Sequence, residues 1–123
     1  MQPGCDSPAA LYPDGAVSMV KFAVIFLKPA DPAAFENAYN DFLALAERMP
    51  YIVRRQVVDV LGSPTGISPY HRILEIYFND QAQMEAGLRS GQGQEAGAEL
   101  RKRFPARSFE VLYADVYEEA GAG

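Results

Sequence analysis

The run of apolar residues from Phe22 to Leu27, bounded by Lys21 and Lys28, constrains the fold of this chain of 123 residues more than any other feature. It is much shorter than the roughly 20 residues that a membrane-spanning helix needs. Its β-branched and aromatic side chains instead predict a strand over Met19 to Lys28. No basic residue precedes Lys21, so residues 1–18 do not show the pattern of a secretory signal, and we expect a cytoplasmic protein.

The rest of the chain alternates between helical and strand patterns. Asp31 and Pro32 are typical of a helix start. Apolar residues three and four positions apart then continue to Met49, and Pro50 ends this helix. Further strands are predicted over 52–61, 70–78 and 108–117, and helical segments over 81–89 and 92–103. The order β-α-β-β-α-β predicts an α+β, ferredoxin-like fold, in which a four-stranded antiparallel sheet has its first and third strands in the centre and both helices on one face.

The two ends of the chain differ in composition from the middle. Residues 1–18 contain several Pro and Gly residues with Asp between them, a mixture typical of turns and open coil. We interpret residues 1–18 as a flexible N-terminal arm, 19–119 as the folded domain and 120–123 as a flexible tail. Met19 is an alternative natural start, in which case the arm is an over-long gene assignment; otherwise the arm has a function of its own.

Two of the predicted strands are apolar on both faces. In the first strand, Phe22 and Phe26 point away from the face that carries Ala23 and Ile25, and the strand over 108–117 repeats this pattern. An antiparallel sheet with helices on one side normally has a polar second face. Because the two helices cover only one face, the other would remain in water as an association surface. We therefore expect a homodimer in which the two sheets face each other.

Charge and composition exclude several classes of function. Eleven Lys and Arg against sixteen Asp and Glu leave a net charge of -5, so the chain lacks the clustered positive charge that binds nucleic acid. With Cys5 as the single Cys and His71 as the single His, the chain cannot form an intrachain disulfide and has too few ligands for a closed zinc site. We expect no metal, no cofactor and neither a nucleic-acid nor a membrane partner.

Several short motifs, in this order and spacing, resemble the ethyl tert-butyl ether degradation (EthD) family. They are Met19-Val20-Lys21-Phe22, Asp31-Pro32-Ala33-Ala34-Phe35 with Tyr39 and Pro50, Val60-Leu61-Gly62, Ser68-Pro69-Tyr70-His71-Arg72-Ile73, Glu75-Ile76-Tyr77-Phe78-Asn79-Asp80 and Ser90-Gly91-Gln92-Gly93-Gln94. The resemblance covers about Met19 to Glu118. It implies a dimeric α+β barrel, and that superfamily includes cofactor-free monooxygenases, lactone isomerases, polyketide cyclases and haem enzymes. The family itself is linked to an ether-degrading cytochrome P450 system, which implies a role in xenobiotic catabolism.

The chain departs from the family pattern in its first helix. Many members carry a His there, whereas the segment from Asp41 to Leu45 has none. The stretch from Phe35 to Pro50 is also about one residue shorter than usual. If that His has a chemical role in other members, this chain lacks the role or fills it with another group.

Three residues of the third strand are candidate catalytic groups: His71, Glu75 and Tyr77. His71 can act as a general base, and strand alternation predicts that its side chain lies on the same face as Glu75 and Tyr77. The alternative for His71 is a half-exposed residue at the strand end without a chemical role.

Glu75 interrupts an apolar central strand, where an unpaired carboxylate would be costly. It either pairs with Arg54, Arg55 or Arg72, which would make it structural, or lines a wet cavity.

Four further residues are candidates for lining a ligand pocket between the sheet and the helices: Tyr39, Phe42, Arg55 and Tyr113. For Tyr39 and Phe42, packing in the core is the alternative.

The letters of Gly91 to Ala96 match a dinucleotide-binding pattern, but a helix precedes them where that pattern requires a strand, so we interpret them as a helix break.

These observations favour a small homodimeric protein that binds an apolar or aromatic metabolite and is accessory to an oxidative degradation pathway. A cofactor-free isomerase, cyclase or monooxygenase that uses His71 with Tyr77 or Glu75 is the first alternative. A structural dimer without a ligand is the second.

Overall fold

The structure, a computed structural model, describes residues 10–11 and 17–118, with the side chains of 19–118. In chain order the elements are β1 (Ala10–Leu11), β2 (Val17–Leu27), α1 (Pro32–Ala46), β3 (Arg54–Asp59), β4 (Tyr70–Phe78), α2 (Gln81–Arg89), α3 (Gly91–Arg103) and β5 (Phe109–Glu118). The predicted tail at 120–123 lies outside the described residues, as does most of the predicted arm.

The four long strands form one antiparallel sheet in the order β3-β4-β2-β5. The predicted ferredoxin-like arrangement, with β2 and β4 in the centre, is confirmed. β1 pairs with Val17 and Ser18 at the start of β2, and both residues also pair with β5. The strand therefore begins two residues before the predicted start at Met19.

The helix α1 begins where its sequence predicts. The carboxylate of Asp31 accepts a hydrogen bond from the backbone N–H of Ala34, and Pro32 occupies the first turn, where no backbone donor is needed. Its regular part ends at Ala46, before the predicted end. The chain then continues as a tighter turn to Met49, whose N–H bonds to the carbonyl of Ala46, ahead of Pro50.

A single residue, Ser90, separates α2 from α3. Its hydroxyl donates to the carbonyl of Gly87 at 2.6 Å, and its oxygen accepts from the N–H of Gly93 at 3.0 Å. Ser90 therefore caps the end of one helix and the beginning of the next. This geometry agrees with our interpretation of the glycine-rich segment as a helix break.

The apolar core lies between the sheet and the three helices. The ring of Phe26 in β2 meets the edges of Phe35, Tyr39 and Phe42 of α1, with centroids 5.3 to 6.3 Å apart. Phe104, which follows α3, packs against the same ring at 4.9 Å. Because aromatic rings fill the space above the middle of the sheet, any cleft between sheet and helices must lie at its margin.

The other face of the sheet has no helix over it. Strand register places on this face a set of apolar residues that comprises Met19, Ala23, Ile25, Val58, Ile73, Leu112, Ala114 and Val116. We call these eight residues the open face. Leu112 is 43% exposed, so apolar surface remains accessible to water within one protomer. This arrangement agrees with the expectation from the sequence that two of the strands are apolar on both faces.

Candidate functional site

A β-bulge changes the direction of His71. Phe26 pairs with Arg72 and Leu27 pairs with Tyr70, so His71 is the additional residue on β4. Its ring contacts Phe35 of α1 on the helix side of the sheet. The expectation that His71 lies on the same face as Glu75 and Tyr77 is therefore wrong, because strict alternation stops at the bulge.

His71, Tyr39 and Arg72 gather around the ring of Phe35. The rings of His71 and Phe35 meet edge to face, with their centroids 4.8 Å apart. The ring of Tyr39 stacks on Phe35 with centroids 5.8 Å apart, and the guanidinium of Arg72 lies 4.6 Å from the centroid of Tyr39. Within the described part of the chain, the hydroxyl of Tyr39 and Nε2 of His71 are buried and have no hydrogen-bond partner. Since buried polar atoms are normally satisfied, these two atoms can still bind a further group.

Two acidic residues hold Arg72 in place. Glu36 of α1 accepts two hydrogen bonds from its guanidinium, each 3.0 Å long, and Asp59 of β3 accepts a third at 2.7 Å. Burial acts to lower the pKa of Arg72, but these hydrogen bonds raise it above its ordinary value. Burial also raises the pKa of Tyr39, with the charge of Arg72 acting in the opposite direction. At neutral pH the cluster therefore contains a fixed cation beside a protonated phenol, which can donate a proton or a hydrogen bond.

Glu75 and Tyr77 lie on the opposite side of the sheet, among the residues of the open face. Glu75 is 8% exposed and accepts hydrogen bonds from Lys21 at 2.8 Å, Gln56 at 2.9 Å and Tyr77 at 3.0 Å. The guanidinium of Arg54 covers the ring of Tyr77 at 4.1 Å. The carboxylate thus has an ion pair, as expected, but its partner is Lys21 and none of the three arginines considered from the sequence.

The contacts of Glu75 determine its charge state. Burial acts to raise its pKa, but the hydrogen bonds from Lys21 and Tyr77 lower it below the ordinary value. Burial and the hydrogen bond to Glu75 both raise the pKa of Tyr77. An ionised carboxylate with three donors is a poor proton acceptor, so this geometry favours a structural role for Glu75.

The four predicted pocket residues do not converge. Tyr39 and Phe42 contact Phe26 in the core. Arg55 pairs with Glu47 just after α1 at 3.3 Å, and Tyr113 lies 58% exposed on the edge strand β5. Neither of the two clefts described next, both formed by described residues, is lined by any of these four.

The larger cleft has a volume of about 440 Å³ and lies where β2 ends, between the first half of α1 and the end of α3. We call it the α1–α3 cleft. Its apolar lining consists mainly of Leu27, Pro29, Phe35, Ala38, Phe104 and Pro105. Phe35 also contacts the His71 ring, so this residue separates the cleft from the two unpartnered polar atoms.

The smaller cleft, of about 190 Å³, lies at the end of the sheet where Met19, Arg54 and Tyr77 meet the last residues of β5. It contains the arginine that covers Tyr77. It therefore belongs to the surroundings of Glu75 and not to the helix side.

Within residues 10–11 and 17–118 no group of three or more His, Cys, Asp or Glu side chains is arranged to hold a metal ion. Among the helices of that same part of the chain, none is long and apolar enough to cross a membrane.

Sequence reasoning missed Lys21 as the partner of Glu75, Arg72 as the cation beside Tyr39, and Lys28 and Phe104 as residues that line the α1–α3 cleft. A signal for Lys21 was present, since it is the one charge inside an apolar strand. Strand register was needed to pair it with Glu75. Phe104 had no comparable signal, because it lies just after a polar helix.

Comparison with protein-family models gives no match. Among curated proteins, an uncharacterised 11.0 kDa protein from the thcB-thcC intergenic region of Rhodococcus erythropolis is 27% identical over 99 residues, covering 79% of this chain and 94% of that protein.

Among solved structures, two similarities extend to the fold alone. A dimeric ferredoxin-like protein of unknown function from Jannaschia sp. CCS1 is 19% identical, covering 79% of this chain and 99% of that chain with a TM-score of 0.59. SnoaB, a cofactor-independent oxygenase from Streptomyces nogalater, is 15% identical, covering 85% and 97% with a TM-score of 0.57.

The similarity to an EthD family protein from Bacillus halodurans C-125 is higher. That crystal structure matches with a TM-score of 0.74 and 26% identity, covering 78% of this chain and 96% of the other. The resemblance of this chain to the ethyl tert-butyl ether degradation family is thereby confirmed.

Proposed function

We propose that the protein is a cytoplasmic homodimer that binds a small apolar or aromatic metabolite in the α1–α3 cleft of each protomer, as an accessory to an oxidative degradation pathway. The observation that carries this proposal is the cleft itself. Its volume of about 440 Å³ is within the usual range for small-molecule sites, about 300–1,000 Å³.

The lining of the cleft supports an apolar ligand. Phe35 and Phe104 present aromatic rings that also pack against each other, with centroids 5.8 Å apart. Leu27 and Pro105 extend this apolar surface. Removing such a surface from water by binding an apolar molecule is favourable by about 25 cal/mol per Å².

The open face supports a dimer. Its apolar residues surround the ion pair between Lys21 and Glu75, and a second copy of the same face would bury both. A related structure of the same fold is described as dimeric, which agrees with this arrangement.

The accessory role in degradation is inferred from the EthD family resemblance, since that family is named for ether degradation.

Native mass spectrometry of freshly purified protein tests both parts of the proposal. We expect the mass of two chains with a small molecule retained. Ala34→Trp places a large side chain into the cleft and should abolish retention, whereas Ala33→Trp, a neighbouring exposed position that does not line the cleft, should preserve it. A monomer at micromolar concentration would overturn the dimer, and equal retention by both variants would overturn the assignment of the cleft.

A second candidate function, cofactor-free catalysis by proton transfer, is favoured by one observation. Tyr39 and His71 keep buried polar atoms without partners beside a fixed cation, Arg72. The side chain of Tyr39 or of His71 can donate a proton to a bound substrate or accept one from it. The similarity in fold to a cofactor-independent oxygenase is compatible with this function. A His71→Ala variant that keeps ligand affinity but loses turnover would support it, and unchanged behaviour in every assay would make His71 structural.

A further inference from the structure

Four polar residues interrupt the apolar lining of the α1–α3 cleft: Lys28, Asp31, Arg103 and Ser108. A ligand that enters the cleft meets these groups at its margin. Which of them are still available for binding determines the chemistry of the head group that the cleft can accept.

Two of the four already have intramolecular partners. The guanidinium of Arg103 donates to Asp41 of α1 and, at 3.1 Å, to Glu99 of its own helix. The hydroxyl of Ser108 donates to the carbonyl of Pro105 at 2.7 Å. The charge of Arg103 is therefore compensated by two carboxylates. The hydroxyl hydrogen of Ser108 is already engaged in an intramolecular hydrogen bond.

Asp31 is also engaged, because it caps α1. Its Oδ1 accepts the N–H of Ala34 at 3.1 Å. A carboxylate at this position is stabilised by the positive end of the helix dipole, which offsets part of its charge. Asp31 is thus bound to the helix and does not make the cleft suitable for a cation.

Lys28 differs from these three residues. Its backbone is held, since its N–H donates to the carbonyl of Pro69 at 2.9 Å. Its ammonium group, however, has no hydrogen-bond or ion-pair partner within the part of the chain that the structure describes. The cleft therefore has one free polar side chain, among those described, and this side chain is a cation.

We propose that the ligand of the α1–α3 cleft is an amphipathic monoanion, an aromatic or alicyclic body with a single carboxylate or comparable acidic head. This inference rests on the proposed function and specifies its ligand class. The body packs against the aromatic surface that Phe35 and Phe104 form together, and the acidic head binds the ammonium group of Lys28. A charge-assisted hydrogen bond of this kind is stronger than a neutral one.

The experiment compares two probes that differ only in the head group, 2-naphthoate and its neutral amide, 2-naphthamide. Their affinities are measured by titration calorimetry with wild-type protein and with Lys28→Met. We expect naphthoate to bind about tenfold more weakly to Lys28→Met, which corresponds to the loss of one charge-assisted contact, whereas naphthamide should bind equally to both proteins. Lys102→Met, which removes an exposed cation of α3 that does not line the cleft, should leave both affinities unchanged.

Three results would overturn the inference. If Lys28→Met weakens both probes equally, the side chain acts through packing and not through charge. If naphthoate binds Lys28→Met as tightly as wild type while Ala34→Trp abolishes its binding, the cleft binds apolar molecules without recognising an anion, and the proposed function survives without this ligand class. If Ala34→Trp changes neither affinity, the cleft is not the binding site, and the proposed function fails together with the inference.

Discussion

The hydroxyl of Tyr77 donates a hydrogen bond of 3.0 Å to the carboxylate of Glu75, on the side of the sheet that carries the open face. The hydroxyl of Tyr39, on the helix side, is also buried and has no partner in the described part of the chain. The two tyrosines are buried to a similar extent, but among the described residues only the hydroxyl of Tyr77 has a hydrogen-bond partner. Substitutions at these two positions should distinguish a group that supports the fold from one that is available to a ligand.

Tyr77→Phe should lower the free energy of unfolding by about 1 kcal/mol, because it removes a hydrogen bond to a buried charged group. Tyr39→Phe should leave the free energy of unfolding unchanged or raise it, because it removes a buried hydroxyl that has no partner. Urea denaturation at one protein concentration measures both. Equal destabilisation by the two substitutions would mean that the hydroxyl of Tyr39 is satisfied in the folded protein.

The lowered pKa of Glu75 predicts a loss of stability in acid. Burial acts against ionisation, but Lys21 and Tyr77 hold the folded pKa below the ordinary value of 4.5. The contribution of Glu75 is therefore complete above pH 4.5 and is lost as the pH falls through the lower folded value. Denaturation measured across this pH range should show that the free energy of unfolding falls less steeply with decreasing pH for Glu75→Gln than for wild type. The same slope for both proteins would contradict the assignment.

Leu112→Glu should dissociate the proposed dimer. Leu112 is 43% exposed and lies on the open face, where a second copy would bury a new carboxylate at a high cost in free energy. Leu61→Glu, at a fully exposed position in the loop after β3, is the matched control and should remain dimeric. Sedimentation equilibrium measures both. A Leu112→Glu protein with the mass of two chains would place the interface elsewhere.

Gly93→Ala should destabilise the junction between α2 and α3. A Cβ atom at position 93 would contact the carbonyl oxygens of Gly87 and Leu88, which are backbone atoms that cannot move independently. We expect a loss of about 1–3 kcal/mol in the free energy of unfolding. Gly91→Ala, at a position where a Cβ meets nothing within 4 Å, should cost far less. Thermal denaturation compares the two variants, and equal midpoints would show that the helices separate to accommodate the methyl group.

Much of the fold could be predicted because its signals are local. The cap at Asp31, the apolar stripe of α1 and the turn formers between strands each act over a few residues, so the element order β-α-β-β-α-β follows from patterns along the chain. The EthD resemblance has the same origin, because it consists of short motifs in a fixed order. Strand ends depend on pairing with a distant strand, and β2 begins two residues before the predicted start because its pairing with β5 continues to Val17.

The candidate site could be predicted only in part, because it depends on register and on contacts between distant segments. Glu75 was identified correctly as a carboxylate that needs a partner, but alternation along β4 does not reveal that Lys21 lies on the neighbouring strand. The pocket predicted around Tyr39 and Phe42 is occupied by the ring of Phe26, which only tertiary packing shows.

The sequence by itself determined the architecture and the existence of a second apolar face, since both depend on periodicity and on the order of elements. The tertiary structure decided which groups meet. A one-residue bulge turned His71 toward Phe35 and away from Glu75, and the first half of α1 and the end of α3 formed a cleft around residues that no pattern had connected. The physical reason is that side-chain direction in a strand reverses with each residue, so a single irregularity changes which face a side chain occupies while leaving the local apolar pattern intact.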